Sequence, residues 1–275
     1  MALGNTSIRI IVSAIAIPLI LAACIIGGIP FLIFVVGIAL ISFGEFSELV
    51  KNKNANTNFI LGAVTVLTII LNVYFNFIDF FALVILASVL ILLYELFRNS
   101  GSAILNIGST FLGIFYLGLF SSTILLLREF YADQEMLYSE GGYLIISIMV
   151  AIWICDSAAF FLGSAFGKHK LFPRVSPNKS WEGAIAGFIF AILAMIAAKA
   201  LVLDSLTLFD SVVIGIIVGT IGQIGDLVES LIKRDAGVKD SSSLIPGHGG
   251  IFDRFDSLFL TAPTVYLYLY FFIKN

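Results

Sequence analysis

Apolar runs of helix length, separated by short polar breaks, recur from Ile8 to the last residues of the chain. A membrane-crossing helix requires about 20 predominantly apolar residues. Reading hydropathy against the breaks predicts nine such helices, at residues 8–28, 30–50, 58–76, 79–97, 103–127, 142–165, 182–203, 210–231 and 255–273. The first two are separated only by Gly27, Gly28 and Pro30, a junction that admits either a tight hairpin or a partly re-entrant pair. Two breaks, 166–181 and 232–254, are longer and more polar than the rest, so function is sought there.

Composition removes the soluble alternative. Hydrophobic residues make up 60% of the chain and charged residues 12%, with a mean hydropathy of +1.07; an ordinary soluble domain carries about 25% charged residues. The expected fold is therefore all-α: a polytopic integral membrane protein of about nine transmembrane helices with its catalytic site at the cytoplasmic side. It forms one membrane-embedded domain, with an N-terminal helical part, 1–141, and a catalytic part, 142–275. The apolar start mimics a secretory leader, but Arg9 alone is a thin charged region and no small-x-small cleavage motif succeeds it, so 8–28 is read as a retained helix. Cys24 and Cys155 both lie in apolar runs, as small buried hydrophobes rather than disulfide partners.

The net charge of −3 says less than its distribution. Twelve of the fifteen Lys and Arg residues fall on one side of the predicted spans: Arg9, Lys51, Lys53, Arg98, Lys168, Lys170, Arg174, Lys179, Lys233, Arg234, Lys239 and Arg254. Arg128, Lys199 and Lys274 fall on the other, together with Glu129, Asp133, Glu135, Glu140, Asp204 and Asp210. The positive-inside rule makes the first side cytoplasmic, with the N-terminus inside and the C-terminus outside.

On the eighth predicted helix, Gly215, Gly219, Gly222, Asp226, Glu229 and Lys233 succeed one another at spacings of 4, 3, 4, 3 and 4. At about 100° per residue they lie within about 40° of one line. The glycines read either as a groove leading down from Asp226 or as close packing against a neighbouring helix. A carboxylate deep in such a helix costs about 2.5 to 3.5 kcal/mol and usually marks an ion or substrate site. For Glu229 the plain alternative is an ion pair with Lys233.

The adjoining loop holds Lys233, Arg234, Lys239 and Asp240, then Pro246-Gly247-His248-Gly249-Gly250, then Asp253-Arg254-Phe255-Asp256. Hard oxygen donors such as Asp226, Asp253 and Asp256 suit Mg²⁺, which takes one or two carboxylates plus substrate phosphates. Lys and Arg clamp phosphate oxygens, and glycines let backbone N–H groups approach an anion. Topology alone accounts for cations in such a loop. It does not ask for carboxylates, and the combination points to phosphoryl or nucleotidyl transfer. In 166–181, Ser176-Pro177-Asn178-Lys179-Ser180-Trp181-Glu182-Gly183 offers both a helix start at Ser180 and Glu182 and an anion site flanked by Lys179. Asp156, with Gly163 and Gly167 on its face, points into the same interior or is a hydrogen-bonded structural residue. His169 reads as a solvated loop residue and Trp153 and Trp181 as packing or interfacial residues. Glu45 and Glu48 read as support for the site or as side chains snorkelling to the interface.

The stretch Ser230–Asp256 resembles the signature of the phosphatidate cytidylyltransferases, also called CDP-diacylglycerol synthases. Its positions are met at Ser230, Lys233, Arg234, Lys239, Asp240, Ser242, Pro246, His248, Gly249, Gly250, Asp253, Arg254 and Asp256. Ser176 to Gly183 is similar to a second element of that family, with Ser180 where Thr is commoner, and Asp156 with Gly163 and Gly167 to a third. The resemblance is specific over 156–256. It implies CTP and phosphatidate as substrates at an inner-membrane site facing the cytoplasm, with Mg²⁺ as cofactor, a second cation left open, and no nucleic acid. It implies Asp226 and Asp253 as principal metal ligands, joined by Asp256 and Glu229. Lys233, Arg234, Lys239 and Arg254 would neutralise phosphates, with Asp240 and His248 also in the catalytic set. Ser176, Lys179, Ser180, Gly249 and Gly250 would cradle the nucleotide. Two other readings stay open: a cation transporter, which gives no reason for the loop, and a CTP-dependent lipid kinase. The pairs Gly183/Gly187 and Gly215/Gly219 permit a homodimer or serve packing within the chain.

Overall fold

The computed structural model of the chain describes residues 5–245 and 249–273, with side chains from Val12 onward. Among them are eleven α-helices: α1 Asn5–Ile26, α2 Gly28–Lys51, α3 Phe59–Phe75, α4 Phe80–Arg98, α5 Ala103–Gly113, α6 Phe120–Arg128, α7 Tyr138–Phe166, α8 Trp181–Leu201, α9 Leu208–Ile217, α10 Gln223–Asp235 and α11 Phe252–Phe272. π-Helical stretches, Ile114–Leu119 and Val218–Gly222, join α5 to α6 and α9 to α10 without a break. The all-α expectation omits one element. Part of 166–181 forms an antiparallel hairpin, β1 Lys170–Phe172 with β2 Ser176–Ser180.

Six helical runs among the described residues are long and apolar enough to cross a membrane: Gly28–Lys51, Phe80–Arg98, Ala103–Arg128, Glu135–Phe166, Trp181–Leu201 and Leu208–Asp235. The hydropathy pattern predicts nine. α3 has 17 residues, and at 1.5 Å per residue it reaches about 25 Å, less than the roughly 30 Å hydrocarbon core. α11 opens with Asp253, Arg254 and Asp256, which dilute its hydropathy.

The chain divides into two compact units. The first comprises Met1–Ala23, Gly28–Leu126 and Ile232–Phe255; the second comprises Cys24–Gly27, Leu127–Leu231 and Asp256–Asn275.

In the first unit the helices start where short polar side chains can accept their free amides. Asn58, Asp79 and Ser102 cap α3, α4 and α5 by accepting from Leu61, Ala82 and Leu105, each such cap being worth about 1 kcal/mol. The buried Phe43 ring of α2 sits against Gly113 of α5, where a Cβ would lie 2.7 Å from the ring. Close packing of this kind holds membrane helices together, because lipid is as apolar as the side chains themselves.

In the second unit, glycines bring α7, α8 and α9 to backbone contact. A Cβ on Gly183 would lie 2.6 Å from Ala159 O, and one on Gly187 2.9 Å from Cys155 O. One on Gly215 would lie 2.6 Å from Ile192 Cα, and one on Gly219 2.9 Å from Phe188 Cα. Both GxxxG pairs therefore pack within the chain, and these four glycines offer no face to a dimer. The groove read from Gly215 and Gly219 is correspondingly filled by α8. The regular phasing behind that reading also fails, because the π-helical turn at Val218–Gly222 holds an extra residue and rotates α10 relative to α9.

Arg128 is another departure. Counted in the sequence as a charge flanking a loop, it is fully buried, and it donates from Nε to Cys24 O at 2.5 Å and from Nη2 to Ile25 O at 3.0 Å. Those are last-turn carbonyls of α1, which no further turn can satisfy. Gly27, with φ +67°, ends the helix. Cys24 and Cys155 are buried free thiols, as their apolar surroundings predict.

Candidate active site

Three carboxylates converge in the second unit. Asp226 and Glu229 are one turn apart on α10 and meet Asp256 of α11, with oxygens of all three within 4.8 Å of one another. Gly225 permits this approach, since a Cβ there would lie 2.8 Å from Asp256 O and 3.1 Å from Ser257 Cα. Glu229 is fully buried. Asp226 accepts from Lys179 Nζ at 2.6 Å and from Ser230 Oγ at 3.3 Å. Ligands about 2.1 Å from Mg²⁺ sit about 3 to 4 Å apart around an octahedron, so small rotations would bring this trio onto one hard divalent cation. All donors are hard oxygens, and the donor set fits the cation that the sequence reading expects.

Lys179 reaches the trio from β2. The hairpin ends in Ser180, whose Oγ accepts from Gly183 N at 3.2 Å, capping α8. Gly163 and Gly167 make room for that hydroxyl: a Cβ on Gly163 would lie 3.1 Å from it, and one on Gly167 2.5 Å. Ser180 is thus the helix start, and Lys179 beside it supplies the cation. Glu182 turns back onto the hairpin and meets His169 Nδ1 at 2.7 Å and its backbone N–H at 3.2 Å. His169 is exposed yet tethered, not merely solvated. Ser176 opens β2, half-buried, and Asp156 is exposed on α7.

The first unit holds the loop. Asp253 pairs with Lys233 Nζ at 2.7 Å and accepts the amides of Ser241 at 3.0 Å and Gly250 at 2.8 Å. Its oxygens are occupied by one cation and two N–H groups, an environment unlike that of the carboxylate trio. Arg234 folds onto Val238 O at 3.0 Å. Lys239, Asp240 and Arg254 are exposed. Gly249 has φ +82°, a conformation few other residues tolerate. His248, with Pro246 and Gly247, lies outside the described residues.

A buried carboxylate from α2 holds the same loop together. Glu45 Oε1 accepts from Ser242 Oγ at 2.5 Å and Ile251 N at 3.0 Å; Oε2 accepts from Ser241 Oγ at 3.1 Å and Phe252 N at 2.7 Å. Ile251 N and Phe252 N belong to the start of α11, where a negative charge is favoured. Any side chain on Gly250 would strike this carboxylate. In the sequence, support for the site and snorkelling explain Glu45 equally well. Its partners lie up to 207 residues away, so only its being a carboxylate in an apolar helix marks it. Sequence reasoning misses Gly225 altogether. Its place beside Asp226 is the available signal.

The model of the Cytidylyltransferase family matches residues 7–272. A phosphatidate cytidylyltransferase of Haemophilus influenzae is 48% identical over 138 residues, 48% of this chain and 47% of that protein. Proteins of the same name from Staphylococcus saprophyticus and Staphylococcus haemolyticus are 42% and 41% identical over 131 and 140 residues, covering 48% and 51% of this chain and 50% and 52% of theirs. The chain spans about half the length of the curated relatives it matches.

Proposed function

The chain belongs to the cytidylyltransferase family, and from that premise we propose that it is a membrane enzyme joining CTP to phosphatidate, giving CDP-diacylglycerol and pyrophosphate. The observation that carries this reading is the carboxylate trio Asp226, Glu229 and Asp256 in a chain whose next loop is cationic. A phosphate oxygen of phosphatidate attacks the α-phosphorus of CTP. The bond to the β-phosphate bridge breaks, and pyrophosphate leaves with that electron pair. The nucleophile is already ionised near neutral pH, so no strong general base is needed, and catalysis is positioning and charge neutralisation.

We assign the trio Asp226, Glu229 and Asp256 to holding Mg²⁺, which would supply positive charge against the charge that grows on the phosphates. Asp253 is assigned to the loop, because it already holds Lys233, Ser241 and Gly250. Lys233, Arg234, Lys239 and Arg254 neutralise the triphosphate and the leaving pyrophosphate. Lys179, Ser176, Ser180, Gly249 and Gly250 complete the phosphate cradle, with Asp240 and His248 in the catalytic set. The hydropathy pattern is the support for nine spans, and the Lys and Arg distribution supports the N-terminus inside with the site on the cytoplasmic face of the cell membrane.

The deciding assay supplies purified protein with phosphatidate, Mg²⁺ and CTP labelled in either the cytidine or the γ-phosphate. Cytidine label should enter lipid and γ label should appear in pyrophosphate. Entry of γ label into lipid would mean a kinase, and ion flux in liposomes without nucleotide would mean a transporter. Gly225→Ala gives a further check. Alanine favours a helix over glycine by about 1 kcal/mol, yet here it forces α11 away from α10. We expect about tenfold weaker Mg²⁺ dependence, the size of effect typical of lost ligand support, seen in a Mg²⁺ titration of the reaction and in direct calorimetric binding of Mg²⁺.

A further inference from the structure

The β1–β2 hairpin carries cations that the carboxylate trio does not use. Lys168, Lys170 and Arg174 are exposed, and among the described residues none of them forms an ion pair. No Asp or Glu occurs between Asp156 and Glu182, and Glu182 is engaged by His169. The outer edge of the hairpin is therefore cationic. It is also aromatic: Phe166, Phe172 and Trp181 are 65%, 41% and 55% exposed, and the Arg174 guanidinium lies 5.8 Å from the Phe172 ring centre.

Position gives these features a common partner. α7 ends at Phe166 and α8 begins at Trp181, and both helices are long and apolar enough to cross a membrane. The five-residue β2 can reach only about 17 Å from the helix ends, so in a membrane crossed by α7 and α8 the hairpin would start at the lipid headgroups and extend no farther than that beyond them. Aromatic rings settle at that level. Cations held beside them face phosphates, and each basic residue near an anionic surface adds about 1 kcal/mol of attraction. A positive loop alone would arise from topology. Exposed aromatics flanking it would not.

We propose that this hairpin is a docking surface for anionic phospholipid headgroups, and that it gathers the phosphomonoester lipid substrate at the mouth of the site. The choice of phosphatidate rests on the cytidylyl-transfer reading. The same hairpin sends Lys179 inward, 2.6 Å from Asp226, while Lys168, Lys170 and Arg174 stay outside. The His169–Glu182 pair fixes its base to α8.

The test uses the full chain with Trp153→Phe, which leaves Trp181 as the single tryptophan. It is placed in phosphatidylcholine nanodiscs doped with phosphatidate or phosphatidylcholine brominated on the acyl carbons nearest the headgroup. Brominated phosphatidate should quench Trp181 more strongly at equal content. That selectivity should fall about fivefold for each of Lys168, Lys170 and Arg174 replaced by Gln, and should fade with salt. Lys168→Arg with Lys170→Arg must keep it. Equal quenching by both lipids, or selectivity retained in the triple variant, overturns the proposal. So does a triple variant that raises the KM for CTP alone, since the cations would then serve the nucleotide. No CTP or metal is present in the quenching arm, so its failure is separate from any failure of the labelled-cytidine assay.

Discussion

Asp226→Asn should lower the transfer of cytidine from CTP to lipid by about a thousandfold or more, the scale on which lost charge stabilisation at a phosphoryl centre is felt. The substitution keeps the shape of the side chain and an oxygen for Ser230 Oγ. It removes the charge that Lys179 meets at 2.6 Å and that the trio contributes to a cation. The stability cost should be small by comparison. Both members of the Lys179–Asp226 pair are more than a quarter exposed, and solvent screening holds such pairs to about 1 kcal/mol or less. A melting temperature near that of the unaltered protein, with transfer at background, is the expected combination. Transfer within tenfold of the unaltered protein would remove Asp226 from the metal.

Glu45→Ala should act the other way round, through the fold. It removes the acceptor of four hydrogen bonds, among them those donated by the amides of Ile251 and Phe252. An unsatisfied buried donor costs about 1 to 3 kcal/mol, so two imply about 2 to 6 kcal/mol in denaturant titration. Because the ordered loop carries Lys239, Gly249 and Gly250, the KM for CTP should rise while the KM for phosphatidate moves little. Glu45→Gln should fall between, since an amide offers one acceptor oxygen where four donors converge. A Glu45→Ala protein that melts and binds CTP normally would show the loop to be held by other means.

The apolar runs announce the helices directly, and the polar residues before them, such as Asn58, Asp79 and Ser102, announce their starts. Less legible is whatever depends on a partner distant in sequence. The glycines at 215 and 219 read mainly as packing, with a groove as the alternative, and the position of α8 decides for packing. The acids at 226, 229, 253 and 256 are all recognisable as oxygen donors, but that Asp253 accepts the amides of Ser241 and Gly250 is not announced by its type. Arg128 illustrates the same limit in the charge count. A cation beside a span reads as topology until the carbonyls of Cys24 and Ile25 are seen to need it.

The reach of Glu45 also imposes an order in time. Its last acceptor contact is made 207 residues downstream, and a ribosome adding about 5 to 20 residues per second needs on the order of 10 to 40 s to cover that distance. Through that interval α2 carries an acid whose four donors have not yet been synthesised. The loop therefore cannot take shape until the chain has been made as far as Phe252, and a nascent chain stopped before Ser241 holds the carboxylate but none of the groups it is there to gather.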